Sequence, residues 1–115
     1  MHCYNDSIVV NKALNANWYS PAMQLQHLVV VGIQGVITGT PNGTITLQVS
    51  DDPIGPNAPV NFTDVPDSLF TVSASGTVTW NYRELGATWV RLRYTDASSG
   101  ASTATVTARI NAKGW

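Results

Sequence analysis

One stretch of alternating residues constrains what this chain can fold into. An apolar run that begins at Leu28 meets a Thr-Pro-Asn-Gly turn at residues 40–43, and residues 44–50 then alternate strictly between aliphatic and polar. A period of two with β-branched residues is typical of a half-buried strand. Pro41 presets φ for a turn, and Gly43 can adopt the left-handed conformation that closes a hairpin with a bulge. The sequence therefore predicts a long β-hairpin with this turn at its tip and with residues 43–50 as its return strand.

The first arm of this hairpin, residues 28–38, is apolar on both faces. We expect it to be a central strand that is covered on both sides, as continuous apolar strands usually are. Gly32 and Gly35 in this arm indicate a bulge or the close approach of another backbone. Pro21 cannot donate a ladder hydrogen bond, so it predicts an edge, a bend or a bulge before this arm.

The rest of the chain supplies short strand candidates separated by turn residues. They lie at residues 7–10, 18–26, 60–65, 69–73, 77–82, 88–95 and 102–113. A second hairpin is predicted with Ala74-Ser75-Gly76 as its turn. About eight strands at regular spacing, with no helical period, predict an all-β fold: an antiparallel two-sheet β-sandwich that is jelly-roll-like. We expect residues 1–17 to form an N-terminal arm with a short first strand, and residues 18–115 to form the β-sandwich domain.

Composition argues against several classes of function. Charged residues make up only 11% of the chain and the net charge is −1, so neither nucleic acid nor an anionic membrane is an expected partner. No apolar run approaches the length of a transmembrane helix. The single cysteine excludes an intrachain disulfide. The first residues lack the basic and apolar regions of a secretory signal, so we expect synthesis in a cytoplasm.

The sequence offers no convincing catalytic or metal-binding set. Cys3 and His27 are the only candidates for a Cys/His pair, and neither lies in a context that suggests a nucleophile. Most aspartates lie beside turn residues, where their local hydrogen bonding explains them. We therefore predict that the protein is not an enzyme and holds no cofactor or metal. The alternative is a calcium ion bound by aspartates that flank neighbouring loops, namely Asp51, Asp52, Asp64 and Asp67.

Aromatic and basic side chains are the candidates for partner contacts. Trp89, Arg91 and Arg93 form a stripe on one strand face, and Trp and Arg are enriched at interface hot spots. The alternative is a stripe stacked on its own neighbouring strand, with the arginine stems covering the tryptophan. Surface aromatics also suggest sugar binding by stacking. The full predicted partner-binding set is Tyr4, Trp18, Tyr19, Trp89, Arg91, Arg93, Lys113 and Trp115.

Three segments between Val29 and Gly114 carry a resemblance to a known group of proteins. They are VVVGIQGVITGTPNGTITLQVSDDP, VNFTDVPDSLFTVSASGTVTWN and WVRLRYTDASSGASTATVTARINAKG. Their order resembles small β-sandwich virion structural proteins of tailed bacteriophages. The resemblance implies a capsid decoration or cement protein, a head fibre, or a neck or tail component, and it carries no catalytic residues to transfer.

The predicted function is thus that of a non-enzymatic bacteriophage virion structural protein. We expect a capsid decoration or cement protein, or another particle-surface protein, that is made in the host cytoplasm and acts by protein–protein docking. Its expected partners are the major capsid protein or other virion proteins, together with further copies of itself in a homo-oligomer. The alternatives are a carbohydrate-binding β-sandwich module, with a glycan as partner, and a neck or tail component.

Overall fold

Ten β-strands and no helix form the described part of this computed structural model, which comprises residues 2–25, 28–53, 55–82 and 87–114. The strands are β1 (His2–Ala13), β2 (Trp18–Tyr19), β3 (Met23–Gln24), β4 (Leu28–Thr38), β5 (Gly43–Ser50), β6 (Thr63–Asp64), β7 (Phe70–Val72), β8 (Gly76–Tyr82), β9 (Trp89–Asp96) and β10 (Thr105–Gly114). Across these residues no helix is present that could span a membrane.

The strands form two antiparallel sheets. The first sheet has the order β1-β10-β4-β8, and the second has the order β2-β9-β5-β6, with β3 also paired to β9 and β7 also paired to β5. When β2 and β3 count as one interrupted strand, and β6 and β7 as another, each sheet has four strands. The chain then crosses between sheets in the order of a jelly roll, with eight strands in two layers. The predicted fold class is confirmed.

Two serines fill the interruptions at the edges of the second sheet. Pro21 breaks the first edge, as predicted, and there the Leu92 N–H donates to Ser20 Oγ at 2.8 Å while the Ser20 N–H donates to the Leu92 carbonyl at 2.8 Å. At the other edge the Leu47 N–H donates to Ser68 Oγ at 3.2 Å. Leu47 and Leu92 are cross-strand partners. Ser20 and Ser68 therefore bond to the backbone of Leu92 in β9 and of Leu47 in β5, at the points where the edge strands are interrupted.

Neither predicted hairpin is present. The bounds of β4 and β5 agree with the prediction, but β4 pairs with β10 and β8 in the first sheet, whereas β5 pairs with β9, β6 and β7 in the second. Gly39, with φ of 95°, is the left-handed residue of the corner between them, and Gly43 is not. Residues 73–75 likewise join β7 and β8, which lie in different sheets. Both turns therefore carry the chain from one sheet to the other.

One face of each sheet packs into the core. Along β4 the buried side chains Val31, Ile33 and Ile37 alternate with exposed ones, and Val30 and Val36 are 41% and 47% exposed. The expectation that β4 is covered on both sides is therefore wrong for its described residues. The run of valines and isoleucines supplies only one layer of the core, and its other face remains on the surface.

The first strand is longer than the sequence predicted. The prediction placed a short strand at residues 7–10 within an arm, whereas β1 pairs with β10 from His2 opposite Gly114 to Ala13 opposite Thr105. The register shifts at bulges near Val9, and Asn11 has a φ of 49°. The sequence of this polar segment shows no alternation of apolar residues that would predict a strand. Its strand conformation depends on backbone hydrogen bonds to β10.

Candidate functional site

The central arginine of the predicted stripe lies between two aromatic rings. The Arg91 guanidinium lies 4.0 Å from the centroid of Tyr19 and 3.8 Å from that of Phe62. Its Nε donates to Gln48 Oε1 at 2.9 Å. Burial among these groups lowers the pKa of Arg91, yet the guanidinium stays protonated because its ordinary pKa is so high. Tyr19 and Phe62 thus hold this cation on the outer face of the second sheet.

The other two members of the stripe also contact the chain itself. Trp89 Nε1 donates to the Asp52 carbonyl at 3.0 Å. Arg93 forms an ion pair of 3.6 Å with Asp64, which also accepts a hydrogen bond from Gln48 at 2.8 Å. Arg93 is 39% exposed, so this ion pair contributes little stability. All three residues of the stripe thus contact other parts of the chain, and the role of the stripe in partner binding stays a prediction.

Trp18 lies against the core rather than standing free. Its ring stacks on Tyr94 with centroids 5.8 Å apart, and its Nε1 donates to the Ala13 carbonyl at 3.1 Å. The Lys12 ammonium lies 5.9 Å from the Trp18 ring centroid. Tyr19, the next residue, is 58% exposed. Trp18 and Tyr19 therefore do not form a flat pair of free aromatic rings on which a sugar could stack.

The remaining predicted contact residues come from opposite ends of the sequence. Lys113 is exposed and pairs with Cys3 in the register of β1 and β10, so the backbone of Tyr4 lies in the strand next to Lys113. The side chains of Cys3 and Tyr4, and all of His27 and Trp115, lie outside the described residues. The fold thus brings Tyr4 and Lys113 to one end of the first sheet.

The aspartates considered for calcium do not form a cluster. Among the described residues, no three His, Cys, Asp or Glu side chains are grouped so that they could hold a metal ion. The Asp52 carboxylate instead accepts hydrogen bonds from the backbone N–H groups of Val60 and Asn61, at 2.7 and 2.9 Å, and from Asn61 Nδ2 at 2.9 Å. These bonds, led by the side chain of Asn61, lower the pKa of Asp52 to about 2. Asp52 organises the long loop after β5.

We expect Asp52 to make stability depend on pH in acid. Its folded-state pKa is below its ordinary value of 3.8, so the ionised form stabilises the fold above about pH 4, and this contribution is lost as the pH falls towards 2. Urea unfolding of wild type and Asp52→Asn should differ near neutral pH and converge at about pH 2. Asp51→Asn is the control, since it removes the same charge without touching these bonds. A constant difference between wild type and Asp52→Asn down to pH 2 would contradict the assignment.

The outer face of the first sheet carries a shallow polar depression of about 310 Å³. We call it the polar shelf. The polar side chains at its rim are all exposed, and Gly32 forms part of its floor; they are Asn5, Gln34, Thr79, Asn81, Arg109 and Asn111. Ile33 and Ile110 also border the depression, but their side chains are 1% and 0% exposed and face the core. The shelf therefore presents amide, hydroxyl and guanidinium groups to solvent.

The strand register explains why these residues meet. One row crosses all four strands as Asn5, Asn111, Gly32 and Asn81. The absence of a side chain at Gly32 leaves the dip in this row: a Cβ there would lie 3.1 Å from Asn81 Oδ1 and 3.6 Å from the Asn111 carbonyl oxygen.

The next row on the same face crosses the same strands. It consists of Ser7, Arg109, Gln34 and Thr79, of which the last three line the depression. Sequence analysis missed this site because each strand contributes only one or two polar residues, which look like an ordinary solvated face. A glycine between apolar neighbours in β4 was the one available signal, and it was interpreted only as a bulge or a backbone approach.

The fold and these faces define a jelly-roll β-sandwich, an architecture that hosts viral capsid and lectin domains among others. No protein-family model and no curated protein matches the sequence. Among solved structures, the chain is similar to YomS, a protein derived from the SPBc2 prophage. The two share a TM-score of 0.59 and 11% sequence identity over 96% of this chain and 92% of that chain.

Two further solved structures have weaker similarity. Chitosan-binding module 1 from a chitosanase/glucanase of Paenibacillus sp. IK-5 has a TM-score of 0.49 and 16% identity, over 93% of this chain and 92% of that chain. The Tobacco streak virus coat protein has a TM-score of 0.46 and 9% identity, over 98% of this chain and 84% of that chain. At these identities the likeness concerns the fold alone.

Proposed function

We propose that this protein is a non-enzymatic structural component of a bacteriophage virion. It is a capsid decoration or cement protein, or another particle-surface protein, and it acts by docking to the major capsid protein or its neighbours in many copies. The proposal rests on the sequence resemblance to phage virion β-sandwiches. The jelly-roll fold, which the chain shares with a prophage-derived protein, is consistent with it.

The proposed docking mechanism rests on the position and the pairing of β1. It lies at the edge of the first sheet, and among the described residues it pairs with β10 only. Bulges near Val9 and the left-handed Asn11 disrupt its second half, which discourages strand addition there. Residues 2–7 keep a continuous register and leave a regular edge that an extended segment of a partner can extend.

Lys113 lies next to this regular edge. It is exposed and sits in β10 opposite the start of β1, where the predicted contact residue Tyr4 also lies. We therefore place the docking surface at this end of the first sheet, with the backbone of residues 2–7 and the side chain of Lys113 as its contacts. The predicted contact of Trp115 stays a prediction, because this residue lies outside the described ones. Backbone hydrogen bonds to residues 2–7 would provide affinity, and the side chain of Lys113 would provide specificity.

The test is to look for the chain on purified phage particles. An epitope inserted after Gly55 should not disturb the fold, because Gly55 is exposed and a Cβ built there meets nothing within 4 Å beyond its own chain neighbours. Immunogold labelling of particles should then show a regular array of tagged chains. Absence of the tagged chain from purified particles would overturn the proposal.

Two charge-reversal variants locate the docking surface. Lys113→Glu should lower particle binding at least tenfold, because it places a negative charge beside the proposed contact. Lys12→Glu is the matched control: Lys12 is also an exposed lysine on the first sheet, but it lies at the other end of β1. Equal loss of binding in both variants would contradict the assigned location. Circular dichroism should show both variants to be folded.

A further inference from the structure

The side chains of the polar shelf are more exposed than the polar side chains at the centre of the second sheet's outer face. On the second sheet the polar side chains of β5 point away from the core and are nevertheless buried, with Thr46 and Gln48 5% and 6% exposed. Thr46 bonds to Ser68 and Gln48 bonds to Asp64, and both partners lie along the β6–β7 edge of the same sheet. On the first sheet the corresponding outward side chains of β4, β8 and β10 at the shelf are exposed.

The chemistry of the shelf is unlike the centre of a protein interface. Such centres are rich in aromatic and other apolar side chains. The side chains that the shelf exposes are four amides, one hydroxyl and one guanidinium, from Asn5, Gln34, Asn81, Asn111, Thr79 and Arg109. Its single cation also falls short of the several that a nucleic-acid backbone requires.

Amides match the hydrogen-bonding pattern of a sugar. Each carboxamide offers a carbonyl acceptor and an NH₂ donor a short distance apart, and each sugar hydroxyl both donates and accepts. Four carboxamides around one dip can therefore pair with several neighbouring hydroxyls at once. The volume of about 310 Å³ lies at the lower end of the range of small-molecule sites, which suits a short segment of a sugar chain.

The floor of the shelf adds a steric argument. Gly32 removes the side chain that would otherwise rise between Asn81 and Asn111, so that a ligand can reach the backbone of β4. Val30 and Val36 stand on the same face of β4 on either side of the dip, and they are 41% and 47% exposed. These aliphatic groups can contact the C–H faces of a sugar ring while the amides bind its hydroxyls.

We infer that the polar shelf binds an oligosaccharide segment through its carboxamide groups and Arg109. This goes beyond the proposed virion role, since a docked protein can present the shelf to a glycan on a cell surface. It also places sugar binding away from the aromatic residues that the sequence suggested, because Trp18 and Trp89 already contact the chain itself.

The test uses the full chain in solution and requires no phage particle. The protein is screened on a glycan array, and the strongest ligand is then titrated by isothermal calorimetry. Asn81→Ala and Asn111→Ala should each weaken binding at least tenfold. Thr77→Ala is the matched control, because Thr77 is exposed on the same face of β8 outside the shelf, and it should bind as wild type does. Near-ultraviolet circular dichroism verifies that the variants fold.

Two results would overturn the inference. One is a flat array, with no glycan bound at millimolar concentration. The other is binding that survives Asn81→Ala and Asn111→Ala but is lost in Trp18→Ala or Trp89→Ala, which would move the site to the second sheet. Neither result bears on the virion proposal, which depends on particle labelling and on Lys113.

Discussion

Trp80→Ala is expected to lower the free energy of unfolding by about 3–5 kcal/mol, the usual cost of truncating a large buried aromatic side chain. Trp80 is 3% exposed and belongs to β8 of the first sheet. Its indole Nε1 donates to the Ser68 carbonyl at 2.6 Å, and its ring meets Phe70 edge-on with centroids 5.3 Å apart. Ser68 and Phe70 lie along the edge of the second sheet, so Trp80 joins the two layers.

Urea unfolding followed by circular dichroism measures this loss, and two variants separate its parts. Trp80→Phe keeps an aromatic ring but removes the hydrogen-bond donor to the buried Ser68 carbonyl, so we expect a smaller loss of about 1–3 kcal/mol. Thr77→Ala, on the exposed face of the same strand, should change stability by no more than about 0.5 kcal/mol. A loss below about 1 kcal/mol in Trp80→Ala would show that Trp80 does not join the layers.

Gly43→Ala is expected to destabilise the protein by about 1–3 kcal/mol, the usual cost of forcing extra atoms into a packed core. A Cβ on Gly43 would collide with the carbonyl oxygen of Thr95 and would lie 2.6 Å from Oη and 2.8 Å from Cζ of Tyr94. The carbonyl belongs to the β5–β9 ladder, and Tyr94 is fully buried, so neither can move without disturbing the core. The position needs glycine for space, since its φ is not positive.

Gly55→Ala is the matched control for this prediction. A Cβ at Gly55 meets nothing within 4 Å, so the substitution should be neutral or slightly stabilising. Equilibrium unfolding of both variants provides the comparison. Wild-type stability in Gly43→Ala would mean that β5 and β9 are further apart at this end than the structure shows.

The sequence by itself was enough to locate the main strands and the class of fold. The alternation of Ile45, Leu47 and Val49 requires one buried face, and it predicted β5 with the bounds that the structure has. Pro21 removed a backbone donor and so predicted the break in an edge strand. These are local properties, because side-chain period and proline chemistry act within a few residues.

Which strands lie side by side was beyond the sequence. The turn at residues 40–43 suited a hairpin, yet β4 and β5 belong to different layers, where β4 pairs with β10 and β8 and β5 pairs with β9, β6 and β7. The polar first half of β1 has no alternation and exists as a strand only because β10 lies beside it. The interpretation of the 89–93 stripe also depended on residues far away in sequence, Tyr19 and Phe62.

The polar shelf was likewise only partly predictable from the sequence. The polarity of Asn81 and Asn111 and the missing side chain of Gly32 are plain in the sequence, and each is unremarkable in its own strand. Only the register of β1, β10, β4 and β8 aligns them with Asn5 in one row. Sequence determines which face of a strand is polar, because that depends on a period of two. Long-range pairing determines which polar residues become neighbours, because hydrogen bonding between strands is nearly independent of side chains.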